Sequence, residues 1–170
     1  MRGYLVVLRD PEIRSGSNPK YRGVYRMPPY PTSIPEESVV IDDYVFGKYK
    51  DSDGLIPTLA LANQLVDGFS DSPREYEIIY VETLDAPVDD SKEEFDLLGF
   101  DVACGAPFWS IVADWPKKKH DLHNSKLNQN GLFPNWHDAH NYLVDYLAED
   151  DSGLRDVTLH VWRISSPIDQ

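Results

Sequence analysis

The chain has 170 residues, 41% of them apolar and 26% charged, with a formal net charge of −13. That length fits one domain able to bury roughly two thirds of its unfolded surface, and the composition excludes a chain disordered throughout. A single cysteine, Cys104, excludes an internal disulfide and a cysteine-built zinc site and fits a reducing compartment.

Gly3 to Leu8 is β-branched and aromatic and predicts a buried strand. Charge returns at once at Arg9-Asp10, too soon for a signal peptide, and no apolar run nears the ~20 residues of a membrane span. Cytoplasmic residence is the expectation. Residues 11–37 carry Pro11, Pro19, Pro28, Pro29, Pro31 and Pro35, which remove amide donors and interrupt regular structure. A long loop is expected there, with an edge strand near Val24-Tyr25-Arg26, followed by a second strand from Ser38 to Phe46.

Asp51-Ser52-Asp53-Gly54 resembles a helix entry, with Asp53 as N-cap. Leu55, Leu59, Ala62 and Val66 then draw one apolar stripe, Pro57 falls in the first turn, and Gly68 is placed to end the helix. Glu75 to Thr83 predicts a strand. Its two parities are Glu77, Ile79 and Val81 against Tyr76, Ile78, Tyr80 and Glu82. An acidic loop or short helix follows, then a strand through Gly99-Phe100-Asp101-Val102, and another from Phe108 to Ala113. Asn130-Gly131 marks a turn. Asn135 caps a helix over 136–148, with Trp136, Ala139, Leu143, Tyr146 and Leu147 as its buried stripe. Val157 to Ile164 closes the chain as a strand in which Val157, Leu159, Val161 and Arg163 share one parity. No internal repeat and no second domain are visible. The expected fold is α+β: a single domain over 1–170 with a mostly antiparallel sheet of about five to six strands, two main helices packed on it, and the 11–37 loop within it.

Charge is uneven along the chain. Residues 1–35 hold six Lys/Arg against two acids, residues 36–101 hold 18 acids against four bases, and residues 102–170 hold nine acids against six bases. The middle third therefore carries the acidic excess. Such a field repels nucleic acid, whose phosphates need Lys/Arg, and draws in a cationic protein. The bland alternative is that it serves solubility.

Candidate chemistry is sparse. His120 and His123, and His137 and His140, stand three apart, which on a helix puts each pair on one face at a usable metal-ligand spacing. A small metal-binding enzyme is thus the alternative reading. Against it, no metalloprotease Glu accompanies either pair, and His137 and His140 flank the apolar stripe of a surface helix. Cys104 has no nearby His and reads as a small buried hydrophobe. No nucleophile elbow or phosphate-binding loop is present, so no catalytic residue, metal or cofactor is assigned. The adjacent acids Asp42-Asp43, Asp89-Asp90, Glu93-Glu94 and Asp150-Asp151 point apart from one another and read as solvated charge. Asp89, Asp90, Glu93, Glu94 and Asp96 are the expected partner-binding residues, with Trp115 as an aromatic anchor.

Leu97-Leu98-Gly99-Phe100-Asp101-Val102, Leu127-Asn128-Gln129-Asn130-Gly131-Leu132-Phe133 and the Ala-bearing helix at Asp138-Ala139 resemble a loose class of small bacterial proteins of the immunity or toxin-associated kind. The helix-strand unit from Leu59 to Glu82 is similar in layout. The likeness spans about residues 55–147, leaves 11–37 outside, and maps no catalytic residues. The resemblance implies a non-catalytic binding protein and names no partner; the acidic middle third is what points to a basic toxin domain and away from nucleic acid, and the absence of an apolar span points away from a membrane.

Overall fold

The computed structural model describes residues 1–8, 55–68, 76–87, 95–104, 109–114, 126–148 and 158–168. In chain order these form β1 (Arg2–Leu8), α1 (Leu59–Asp67), β2 (Tyr76–Thr83), β3 (Phe95–Cys104), β4 (Trp109–Ser110), α2 (Ile111–Asp114), α3 (Trp136–Leu147) and β5 (Leu159–Pro167). The sheet has the order β1-β2-β5-β3-β4 and every pairing is antiparallel. The fold is α+β, as the patterning predicts. Among the described residues the sheet has four long strands and the two-residue β4, fewer full strands than the five to six expected. The expected strands at 38–46 and near Val24 lie outside the described residues.

Strand parity sorts the core into two faces. On one face, α1 covers Tyr4, Val6 and Ile78 through Ile56, Ala62 and Leu65. On the same face, α3 covers Phe100, Val102 and Val161 through Ala139, Tyr142 and Tyr146. The other face carries Leu5, Ile79, Val81, Ala103, Trp162 and Ile164, joined by Leu55 and Leu132. Fully buried members such as Leu65, Ile79, Val81 and Phe100 each contribute ~1.5–3 kcal/mol relative to exposure.

Several local expectations are corrected. The first helix starts at Leu59, and its N-cap is Thr58, whose hydroxyl accepts from the Leu61 amide; Asp53 does not cap it. Pro57 therefore precedes the cap. Leu55 lies off the helix because the segment before it is extended: the Tyr4 amide donates to the Ile56 carbonyl (2.8 Å) and the Ile56 amide to the Tyr4 carbonyl (2.9 Å). Leu65, not Val66, is buried beside Ala62. Gly68 does end the helix, at φ −64° and thus without a left-handed turn. Phe108 to Ala113 is not one strand. After Ser110 the chain coils into α2, and this brings Ile111 and Val112 into the cluster under α3. A strand would have sent these neighbours to opposite faces.

β3 begins at Phe95, earlier than its Gly99 core suggests, because a bulge lets the strand continue past Leu98. On α3, Asn135 caps the Asp138 amide as expected, but Tyr142 takes the buried place assigned to Leu147, which is 59% exposed. Residue 147 lies ~100° around the helix from buried Tyr146, and that turn carries it to solvent. β5 runs to Pro167, three residues beyond the expected Ile164, and Val157 lies outside the described residues.

β1-α1-β2 and β3-α3-β5 are both an antiparallel strand pair with a helix on the same sheet face. The second strands, β2 and β5, join the two units at the centre of the sheet.

Candidate functional site

Four polar side chains meet where the two units join. Register places Tyr80 opposite Ser165 and Glu82 opposite Arg163, all on the helix-covered face. Their burial is nearly complete: Tyr80 9%, Glu82 8%, Arg163 1% and Ser165 1% exposed. Arg163 Nη1 stands 3.6 Å from Glu82 Oε1, an ion pair between the units. Tyr80 is held by aromatic contacts on two sides, edge-on by Tyr4 (5.3 Å) and stacked on Phe95 (4.4 Å). Ser165 lies between β2 and β3, and its small side chain leaves room for the Tyr80 and Phe95 rings to meet across β5. Burial first, and then the neighbouring Glu82 carboxylate, push the Tyr80 hydroxyl above the ordinary tyrosine range.

This polar seam separates two apolar clusters, one under α1 and one under α3. It pairs a buried cation with a buried anion. Its direct effect is mechanical. A slip of β5 against β2 by one residue would send Arg163 to the other face and strand a buried charge. Sequence reading passed over these residues, although each strand shows the signal. A stripe of apolar residues ends in a charge, Glu82 after Ile78 and Tyr80, and Arg163 after Leu159 and Val161.

Of the partner-binding residues expected from sequence, Asp89, Asp90, Glu93, Glu94 and Trp115 lie outside the described residues. Asp96 is exposed on β3 opposite Ser166. Within 36–101, Asp67 and Asp85 are also exposed, whereas Glu82 and Asp101 turn inward. Asp101 accepts from the Val102 amide (2.7 Å) and the Ser110 hydroxyl (2.9 Å) and so ties β3 to β4. Asp85 and Asp96 do not adjoin. Asp85 follows the Thr83↔Trp162 end of the β2 ladder, whereas Asp96 pairs with Ser166 toward the opposite end of β5.

The metal alternative finds no support in the described half of its ligand set. His140 stacks on Trp136 at 4.5 Å and His137 meets the same ring edge-on at 5.4 Å, so both imidazoles pack around an indole. That indole donates to the Leu84 carbonyl at 3.2 Å and thereby links α3 to the end of β2. Among the described residues no three His, Cys, Asp or Glu side chains converge; His120 and His123 lie outside them. Cys104 is half-buried at the end of β3, opposite Leu159 and Trp109.

No family model, curated protein or solved structure matches this chain. Among the described residues, no helix is long and apolar enough to cross a membrane.

The runs Leu97–Val102 and Leu127–Phe133 have a structural account. The bulge leaves the Leu98 carbonyl free of the sheet ladder, and it accepts from Asn128 Nδ2 (2.8 Å) and Asn130 Nδ2 (3.2 Å). Asn128 Oδ1 in turn accepts from the Asn130 and Leu132 amides. The Leu-Asn-Gln-Asn-Gly-Leu-Phe run is thus a buttress for β3.

Proposed function

We propose that the chain is a non-catalytic binding protein of the immunity or inhibitor kind, which neutralises a basic, nuclease-like bacterial toxin in the cytoplasm. The observation that carries this reading is the charge of residues 36–101, 18 acids against four bases, in a chain otherwise near balance. Asp67, Asp85 and Asp96 are exposed members of that stretch. Their separation favours a field that steers and orients a cationic partner over a single tight charge cluster. Asp89, Asp90, Glu93, Glu94 and Asp96 supply the densest run of that charge, and Trp115 the aromatic anchor.

The test is toxin rescue. Reading frames flanking the gene are expressed in a sensitive bacterial host, with and without this chain. The expected result is that one basic product kills and that co-expression restores growth. Reversal of Asp89, Asp90, Glu93, Glu94 and Asp96 to Lys should abolish rescue while leaving thermal melting unchanged. Rescue that survives all five reversals removes the electrostatic reading, and no toxic flanking product removes the immunity reading.

A further inference from the structure

We infer that this chain is a tandem duplication, two copies of one β-α-β unit paired with each other about a local two-fold axis through Val81 and Ile164. The correspondence begins in the first strands. Gly3-Tyr4-Leu5-Val6 and Gly99-Phe100-Asp101-Val102 take the same place in β1 and β3. In each copy the aromatic after the glycine forms a two-hydrogen-bond bridge to the residue before a proline: Tyr4 with Ile56, and Phe100 with Phe133.

The glycine is what permits that bridge. A methyl on Gly3 would stand 2.8 Å from Leu55 Cβ and 3.0 Å from the Ile56 carbonyl oxygen; one on Gly99 would stand 2.7 Å from Leu132 Cβ and 2.8 Å from the Phe133 carbonyl oxygen. Beyond the bridge the copies stay in step. Gly54-Leu55-Ile56-Pro57-Thr58 answers Gly131-Leu132-Phe133-Pro134-Asn135. Thr58 and Asn135 are both N-caps that accept from the amide three residues on. Four residues after each cap stand Ala62 and Ala139, both 0% exposed, where the helix meets the sheet.

The second strands complete the match. From Gly3↔Val81 to Leu8↔Tyr76, the β1-β2 pairs run in the same register as Gly99↔Ile164 to Cys104↔Leu159 in β3-β5. Val81 and Ile164 are therefore equivalent residues, and they pair with each other across the β2-β5 junction. Their neighbours obey the same axis: Tyr80↔Ser165 maps onto Arg163↔Glu82. An antiparallel junction in which one residue faces its own counterpart and the flanking pairs exchange with each other is the signature of a two-fold axis. The polar seam is then the surface by which one copy recognises the other, with two side chains from each. The copies differ most in length between first strand and bridge: 45 residues separate Leu8 from Gly54 and 26 separate Cys104 from Gly131. The Pro-rich 11–37 stretch falls in the longer interval.

A two-fold pairing is indifferent to which copy comes first in the chain. A circular permutant of the whole chain, with residues 88–170 ahead of 1–87 and Gln170 joined to Met1 by a flexible linker of about 15 residues, tests this directly. The expected result is a cooperative monomer with an unchanged far-UV spectrum and a Tm within about 10 °C of the natural order. A second measurement does not depend on the permutant folding. Hydrogen exchange on the natural chain should protect the Tyr4 and Ile56 amides together with those of Phe100 and Phe133. A permutant without a cooperative transition, combined with protection of only one bridge, overturns the duplication. Protection of both bridges with a folded permutant establishes it.

Discussion

The two halves of the sheet solve one steric problem under different strain. In the first, Gly3 lets Leu55 pack against a strand that stays in register along its length. In the second, Gly99 does the same for Leu132 but sits at φ 145°, beside the bulge at Leu98, and the asparagine buttress takes up the carbonyl that the bulge frees. The bridge between strand and helix entry is evidently the invariant part of the unit. Strand regularity is negotiable, provided that every displaced polar group finds a partner.

That comparison can be broken at its centre first. Replacing Arg163 by Ala removes the buried cation that faces Glu82 at the junction and should lower stability by about 3–5 kcal/mol in urea unfolding. A loss under about 1 kcal/mol would mean that apolar packing alone holds the halves together. The next effect separates the halves. Gly99→Ala meets the Leu132 and Phe133 contacts and a positive φ as well, Gly3→Ala only the matching Leu55 and Ile56 contacts. The Gly99 variant should therefore be the worse by about 1–3 kcal/mol of backbone strain. Equal losses would show that β3 relaxes its bulge at no cost. The N-caps should instead behave alike: Thr58→Ala and Asn135→Ala should each cost about 1 kcal/mol in thermal melts. A large disparity between them would argue against equivalence of the helices.

A pH profile sharpens the view of the seam. Burial, and then the Glu82 carboxylate, hold the Tyr80 hydroxyl above the ordinary tyrosine range, so the folded state favours the neutral form. The stability it contributes is fully present below pH 10.0 and is lost as pH rises through the raised folded value. Urea melts between about pH 9 and pH 11 should show this decline, and Tyr80→Phe should flatten it. The smallest effect belongs to the surface. Lys126 Nζ and Asp138 Oδ1 pair at 2.6 Å near the start of α3, but the Lys126 side chain is 44% exposed. Lys126→Ala should change stability by at most about 1 kcal/mol, and by less in high salt.

The candidate site was only partly legible in the sequence. Its exposed charge could be counted, because carboxylates in polar segments declare themselves by composition. Its buried charge could not be placed. Arg163 closes an apolar stripe on β5 and Glu82 one on β2, and only the pairing of those two strands shows that the charges meet. His137 and His140 do share one helical face, but what that face packs around, the Trp136 ring, depends on how α3 seats against Leu84.

By itself the sequence determined the local structure: β1 and β2 from β-branched and aromatic runs, the Asn135 cap, the helix end at Gly68, and the acidic middle third. These rest on neighbours within a turn or a strand. The tertiary structure alone decided that two units face each other across Val81 and Ile164 and that Leu147 yields the core to Tyr142. Corresponding residues have no constant spacing, 96 from Gly3 to Gly99, 77 from Leu55 to Leu132 and 83 from Val81 to Ile164. Loops of unequal length erase the period from the chain, while the contact between a bare glycine and a leucine keeps it in space.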